Sequence, residues 1–150
     1  RCDVDDDGRE IALQGTIDRV YRDGDGSMVV SDVKSGKRAP SESDVATHLQ
    51  LSLYAWAFQQ ATGSNGNEVL ELVHLRGFGS KAEEKLFSFR TRRTPEYLDA
   101  VIDHVVIPVH RQIAAGEFPA NPGGLYGCNH CDVQHACPIG QGGECNTHGN

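Results

Sequence analysis

The sequence contains no apolar stretch that approaches the roughly 20 residues needed to cross a bilayer as a helix. It also lacks a charged segment followed by an apolar one, the pattern of a secretory leader. From these two absences we expect a cytoplasmic protein without a membrane partner.

An excess of positive charge is missing as well. The formal net charge is −7, whereas proteins that bind nucleic acid are usually basic. Part of this charge comes from an acidic cluster near the N-terminus, which we predict to be a solvated loop: Asp3, Asp5, Asp6 and Asp7. A site that binds a metal ion also needs carboxylates of its own, and the bound ion reverses their local sign. The net charge therefore argues only weakly against a nucleic-acid partner.

The chain is long enough for one ordinary domain, and its apolar patterns predict an α/β fold. Alternating apolar residues and turn signals predict strands over residues 9–20, 28–33, 69–78 and 84–90. Helical spacing predicts one helix over residues 44–61 and a second that begins at Thr94-Pro95. The order indicates a mixed central β-sheet flanked by helices. We expect this core to span residues 1–120, with a cysteine-rich module over residues 121–150.

Side-chain spacing also predicts how these elements begin, end and pack. Ser41 or Ser43 can cap the first helix, and Gly63 can help to end it. The first two strands are expected to pair as a hairpin through the turn at residues 23–26, and Pro108 to kink or divide the second helix. The predicted core faces of the two helices are Val45, Leu49, Leu53 and Trp56, and Tyr97, Val101, Val105 and Val109.

The segment Asp32-Val33-Lys34 places two opposite charges on one face of a strand, because successive side chains alternate between faces. A carboxylate can hold a divalent metal ion, and a lysine can orient the attacking water or neutralise charge on a phosphate. If the hairpin forms, Asp18 lies beside Asp32. The two carboxylates and a backbone carbonyl, such as that of Val33, would suit Mg²⁺ or Mn²⁺.

Gln50 and Tyr54 are four residues apart on the predicted helix and therefore share a face. That face lies next to the apolar stripe, so both side chains could reach the edge of the core where the metal would bind. Taken singly, each signal has a more ordinary explanation: an exposed ion pair, a plain turn, or surface and core-edge residues. The order and spacing of the three together are far more specific.

These motifs, GTIDR at 15–19, DVKSG at 32–36 and QLSLY at 50–54, resemble the RecB-like branch of the PD-(D/E)XK nuclease superfamily. The resemblance implies a restriction-endonuclease-like core and hydrolysis of DNA that depends on Mg²⁺ or Mn²⁺. It implies an exonuclease of DNA recombination and repair, or of phage or CRISPR DNA processing. The resemblance further implies that Asp18 and Asp32 bind the metal, that Lys34 is the catalytic lysine, and that Gln50 and Tyr54 complete the site.

Four of the five cysteines are crowded near the C-terminus, at Cys128, Cys131, Cys137 and Cys145. The C-x₂-C-x₅-C spacing of the first three suits either zinc or an iron–sulfur cluster. It resembles the iron–sulfur subgroup of RecB-like nucleases, which includes AddB-type helicase–nucleases and nucleases of CRISPR adaptation. The resemblance implies that Cys128, Cys131 and Cys137 hold a [4Fe–4S] cluster. The fourth ligand stays open between Cys2, Cys145, a residue upstream of Arg1 and, for zinc, a histidine.

The chain departs from the family pattern in one respect. Family members carry a metal-binding Glu or His on a helix before the first strand, and Glu10 is a poor counterpart because it lies on the strand itself. Since the first residue is Arg1 and not Met, we expect a fragment or a processed product. Two alternatives follow: the nuclease domain of a larger helicase–nuclease, and a non-catalytic, metal-stapled DNA-binding module.

Two further groups carry weaker expectations. His74 lies in a strand that is predicted to be buried, so we expect a core or edge histidine whose hydrogen bonds are satisfied. His48, His104 and His110 show no ligand spacing with it or with one another. Arg90, Arg92 and Arg93 form a small basic cluster. We expect it to be a solvated turn, with contact to a DNA backbone as the alternative.

Overall fold

A computed structural model describes residues 1–76 and 85–117 of the chain. Its strands form two sheets. A hairpin of two antiparallel strands stands apart from a four-stranded sheet in the order β3-β4-β5-β6. In that larger sheet, β4 and β5 are parallel, and the two outer pairings are antiparallel. The strands are β1 (Cys2–Asp6), β2 (Arg9–Leu13), β3 (Arg19–Arg22), β4 (Met28–Ser35), β5 (Val69–Arg76) and β6 (Lys85–Thr91). The predicted mixed sheet flanked by helices is confirmed.

The helices begin and end largely where the capping residues predict. Ser41 caps the first one through a capping box with Asp44. Gly63 ends the second in a left-handed conformation, with φ of 68°, which a glycine adopts without strain. Thr94 caps the third, and Pro95 stands in its first turn. The helices are α1 (Glu42–Ala46), α2 (Leu49–Thr62), α3 (Pro95–Val101) and α4 (Ile107–Ala115), with a π-helical turn (Ile102–Val106) between the last two.

The expectation of one strand over residues 9–20 is wrong. That segment is divided into β2 and β3 by residues 14–18, around Gly15. Strand β2 pairs with β1, and only β3 pairs with β4. The predicted hairpin with the second strand is therefore formed by β3 alone. The expectation of a solvated acidic loop is also wrong for residues 2–6, which form β1 with Val4 and Asp6 buried.

The predicted helix over residues 44–61 is two helices, because the chain breaks at Thr47 and His48. The break changes which side chains face inward, so Leu49 is 45% exposed and not a core residue. Helix α2 instead packs on β4 and β5 through neighbouring positions. The core cluster on this face of the sheet includes Val30, Val45, Leu51, Ala55, Trp56, Leu70 and Leu72.

The predicted core face of the second helix is wrong as well. Tyr97, Val105 and Val109 are exposed, whereas Leu98 and Ile102 are buried. The helix passes through the π-helical turn just before Pro108, whose ring cannot fit against the carbonyl four residues back. The wider turn accommodates the proline and shifts the helix face, so the helix is divided as predicted but one turn earlier.

The expectation of a solvated turn is wrong for Arg93, whereas Arg90 and Arg92 are exposed but bonded to other parts of the protein. Arg93 is buried and donates a hydrogen bond to the Val45 carbonyl at 2.8 Å. Arg90 binds the carboxylates of Glu71 and Asp23, and Arg92 donates to the Asn67 carbonyl. Their donors are largely taken up within the protein, which leaves little support for a DNA contact.

Residues 1–110 form one compact unit, and the chain from residue 111 onward belongs to a second. No helix in residues 1–76 and 85–117 is long and apolar enough to cross a membrane. The predicted cluster ligands Cys128, Cys131 and Cys137 and the expected domain boundary at residue 120 lie outside the described residues. Those expectations stay predictions.

Candidate active site

Strand β4 carries a buried carboxylate and a lysine on the same face. The Asp32 side chain is 1% exposed, and the Lys34 side chain is 41% exposed. Lys34 Nζ donates a hydrogen bond to Asp32 Oδ1 at 3.1 Å and lies 3.0 Å from Oδ2. The approach to Oδ2 is too oblique for a hydrogen bond, so within the described residues this buried oxygen has an ion-pair contact and no hydrogen bond. A buried carboxylate with so few donors is uncommon.

Asp18 is the residue immediately before β3, the strand that pairs with β4. Its Oδ2 accepts a hydrogen bond from the Val33 backbone N–H at 2.8 Å. The last pair of the β3–β4 ladder joins Arg19 to Ser31, so the next position in register sets Asp18 against Asp32. Residues 14–18, which separate β2 from β3, thus bring the exposed Asp18 carboxylate to Val33, the residue between Asp32 and Lys34.

Gln50 and Tyr54 lie one helical turn apart near the start of α2. Gln50 Nε2 donates a hydrogen bond to the Tyr54 hydroxyl at 2.7 Å. The Tyr54 ring also approaches Gly15, since a Cβ on that glycine would lie 3.6 Å from Tyr54 Cε1. Neither side chain makes a hydrogen bond to Lys34 or Asp32 in the described part of the chain. Gln50 and Tyr54, from the QLSLY motif, are therefore placed next to Gly15 of the GTIDR motif.

Sequence reasoning missed the position of His74. In the parallel β4–β5 ladder it is the direct partner of Lys34, so the two side chains share a face. His74 is 3% exposed, and its Nδ1 has no hydrogen-bond partner among the described residues. The expectation of a satisfied histidine is wrong for this nitrogen. A signal was present: Leu70, Leu72 and His74 alternate along one face, and the polar residue interrupts an apolar stripe.

His48 was also passed over, because its place is set by the break between α1 and α2. It is the N-cap of α2, where Nδ1 accepts a hydrogen bond from the Leu51 N–H at 3.4 Å. Burial lowers the pKa of His48; the charges of Lys34 and Arg93 lower it further, against the opposing effect of Asp32. A neutral imidazole that accepts at Nδ1 carries its proton on Nε2.

An open cavity of about 370 Å³ adjoins these residues. Its lining includes Lys34 and His74 from the sheet, Arg38 and Asp44 from the segment after β4, and His48. A volume of this size lies within the range of ligand sites. The cavity is therefore a place where a substrate could reach the Asp32–Lys34 pair.

The donor set fits a hard divalent cation. Asp32 offers a buried oxygen that has no hydrogen bond within the part of the chain that the structure describes, and Asp18 offers a second carboxylate beside the same strand, β4. In residues 1–76 and 85–117, no three or more His, Cys, Asp or Glu residues are grouped so that they could hold a metal ion. Mg²⁺ sites commonly use one or two carboxylates, with waters and substrate phosphates as the other ligands. Two carboxylates and the Val33 carbonyl would be sufficient for a site of that kind.

Comparison with known families gives one match, which covers nearly the whole chain. The model described as the PD-(D/E)XK nuclease superfamily matches residues 2–138. The matched range includes all three motifs and the cavity. No curated protein sequence matches the chain.

Proposed function

Because the chain belongs to the PD-(D/E)XK nuclease superfamily, we propose that it hydrolyses DNA phosphodiester bonds with the help of Mg²⁺ or Mn²⁺. The observation that carries this proposal is the buried Asp32 carboxylate, which is paired with Lys34, together with the Asp18 carboxylate bonded to the backbone of the same strand, β4. A catalytic role explains why a carboxylate is buried there with so little hydrogen bonding.

Asp18 and Asp32 would hold the metal ion, with the Val33 carbonyl as a further oxygen ligand. When bound, a divalent cation stabilises negative charge on the phosphate and makes water a stronger nucleophile. Lys34 is close enough to Asp32 to orient the attacking water or to meet the charge that builds on the phosphate. In the reaction, water adds to phosphorus, one P–O ester bond breaks, and the leaving oxygen takes up a proton. Gln50 and Tyr54 would position Gly15 and the loop that carries Asp18.

The finer assignment rests on the three motifs and the cysteines. GTIDR, DVKSG and QLSLY support the RecB-like branch, and hence an exonuclease in DNA recombination and repair or in phage or CRISPR DNA processing. Cys128, Cys131 and Cys137 would hold a [4Fe–4S] cluster, with zinc as the alternative. A helicase domain or subunit would supply single-stranded ends. A brown protein with visible absorbance supports the cluster, and a colourless one with stoichiometric zinc contradicts it.

The test of the proposed activity is the change Lys34→Ala. The protein is prepared anaerobically and assayed with Mg²⁺ or Mn²⁺ on end-labelled single- and double-stranded DNA, with matched RNA. We expect the variant to lose cleavage by about a thousandfold, as for loss of a group that stabilises charge in the transition state. Lys37→Ala is the matched control, because Lys37 is exposed on the following loop and does not line the cavity.

The fold of the variant is checked by circular dichroism and thermal unfolding. Cleavage by a folded, metal-loaded Lys34→Ala protein at the parent rate contradicts the mechanism. DNA binding without cleavage by the parent protein, under every metal condition, would instead favour a non-catalytic DNA-binding module. Cleavage of RNA alone would contradict the choice of DNA.

A further inference from the structure

We propose that the cavity beside Lys34 binds a phosphodiester group of the DNA substrate. This group is the neighbour, on the same strand, of the phosphodiester that is cleaved. Arg38, His48 and His74 would be the donors. This inference rests on the proposed function, since it identifies where that activity holds its substrate. None of these three residues belongs to the motifs that define the catalytic site.

The first observation is the state of His74. Its side chain is almost completely buried and lines the cavity, yet Nδ1 lacks a hydrogen-bond partner among the described residues. Its ring also lies against Gly36, where a Cβ would come within 3.4 Å of Nε2. Buried polar atoms are nearly always hydrogen-bonded, so the partner that this ring lacks could come from a ligand in the cavity that the ring lines.

The second observation is the charge around the cavity. Arg38 is exposed, and its guanidinium makes no hydrogen bond or ion pair within residues 1–76 and 85–117, although its charge attracts the nearby Asp44 carboxylate. The acid in the lining, Asp44, is already engaged, because it accepts hydrogen bonds from the Ser41 N–H at 2.8 Å and hydroxyl at 2.7 Å. The cavity therefore presents an exposed guanidinium and imidazole N–H groups beside one carboxylate whose oxygens already accept hydrogen bonds, which suits an anion better than a second metal ion.

The third observation is the position of the cavity. It shares Lys34 with the catalytic pair, so an anion bound there lies one side chain away from the reacting phosphate. A guanidinium can bind two phosphate oxygens at once, and the His48 Nε2–H can donate to another. A polynucleotide strand carries phosphates at regular intervals, so it can fill the reaction site and this cavity together.

The experiment compares Arg38→Gln with Lys37→Gln, which removes the same charge one residue away and outside the cavity lining. The probe is a fluorescein-labelled single-stranded 20-nucleotide DNA in Ca²⁺ buffer, with the dissociation constant measured by anisotropy over a range of salt concentrations. We expect Arg38→Gln to weaken binding by about tenfold and to reduce the salt slope by about 0.7. Lys37→Gln should leave the slope unchanged. Equal effects of the two variants would show that only general electrostatic attraction between the protein and DNA is lost, and this result would overturn the proposal.

His74→Leu is the second variant, because leucine fills the space without polar atoms. We expect KM to rise by roughly fivefold, the loss of one hydrogen bond, with kcat nearly unchanged and the melting temperature equal or higher. A fall in kcat at constant KM would show that His74 positions Lys34, and a fall in melting temperature alone would show a structural role. Either result overturns the phosphate assignment.

The binding measurement also separates this inference from the proposed function. If the parent protein cleaves DNA and Arg38→Gln binds normally, only the cavity assignment fails. If the parent protein never cleaves, the proposed function fails, while the anisotropy titrations still decide whether the cavity holds a phosphate.

Discussion

Two carboxylates are buried on adjacent strands of the same sheet, and they have opposite surroundings. Asp32 on β4 is 1% exposed, and Glu71 on β5 is 3% exposed. Glu71 pairs in register with Ser31, the residue before Asp32, so the two carboxylates point to opposite faces. The comparison isolates hydrogen bonding as the difference, since burial and strand position are nearly the same.

Glu71 is surrounded by donors from three strands. Its two oxygens accept hydrogen bonds at 3.0 to 3.2 Å from Arg19, Tyr21, Ser31, Ser88 and Arg90. Burial works to raise the pKa of Glu71, but the hydrogen bonds from Ser31, Ser88, Tyr21 and Arg90 outweigh it and hold the pKa below its usual value. The carboxylate thereby joins β3, β4 and β6 to β5.

Asp32 has Lys34 as its one charged partner in the described residues and an oxygen without a hydrogen bond. A fully bonded carboxylate stabilises a fold, whereas an under-bonded one keeps lone pairs for a ligand. The two faces of the sheet therefore indicate separate tasks: structure at Glu71 and chemistry at Asp32.

The largest effect is expected from Asp32→Asn, which removes the charge and keeps the shape. Activity should fall by about a thousandfold, because the carboxylate is needed to hold the metal ion. The free energy of unfolding should change by less than about 1 kcal/mol, since Lys34 can turn its charge to water. Mn²⁺ should raise the melting temperature of the parent protein and not that of the variant. A loss of several kcal/mol would show that Asp32 is structural too.

A smaller effect, on stability and not on chemistry, is expected from Glu71→Gln. The amide replaces one of the two acceptor oxygens with a donor, so the groups that donate to that oxygen lose their acceptor. We expect the free energy of unfolding to fall by about 2 kcal/mol. Cleavage at a temperature where the variant is folded should stay within a few-fold of the parent. Urea unfolding measures the stability, and the DNA assay measures cleavage. A thousandfold loss of cleavage in the folded variant would contradict the distinction between a structural Glu71 and a catalytic Asp32.

The smallest effect concerns pH. The pKa of Glu71 is below its ordinary value of 4.5 in the folded protein. Its contribution to stability is therefore fully present above pH 4.5 and is lost as the pH falls through the lowered folded value. The difference in unfolding free energy between the parent protein and Glu71→Gln should shrink over that range. Urea titrations between pH 6 and pH 3 measure it, and a difference that grows as the pH falls contradicts the assignment.

Local patterns predicted the parts of the site that depend on one element at a time. Alternation along a strand was enough to set Asp32 and Lys34 on one face, and a spacing of four was enough to join Gln50 to Tyr54. The capping residues Ser41 and Gly63 likewise act through the backbone next to them. Such features follow from the sequence because the interacting atoms are within one or two turns of each other.

Features that depend on pairing between distant segments could not be predicted in the same way. The expected core residues Leu49 and Val109 are exposed, because breaks in the helices changed which positions face the sheet. The surroundings of Glu71 gather residues from three other strands, and no spacing in the chain indicates that they meet.

The sequence by itself determined the superfamily, the mixed sheet and the three motifs, because their periods and caps are local. The tertiary structure decided what surrounds them. The parallel pairing of β4 with β5 set His74 beside Lys34, and the break before α2 brought His48 to the same cavity. The same pairing placed the Glu71 and Asp32 side chains on opposite faces of the sheet. That separation arises from strand register, which is fixed only when the core packs.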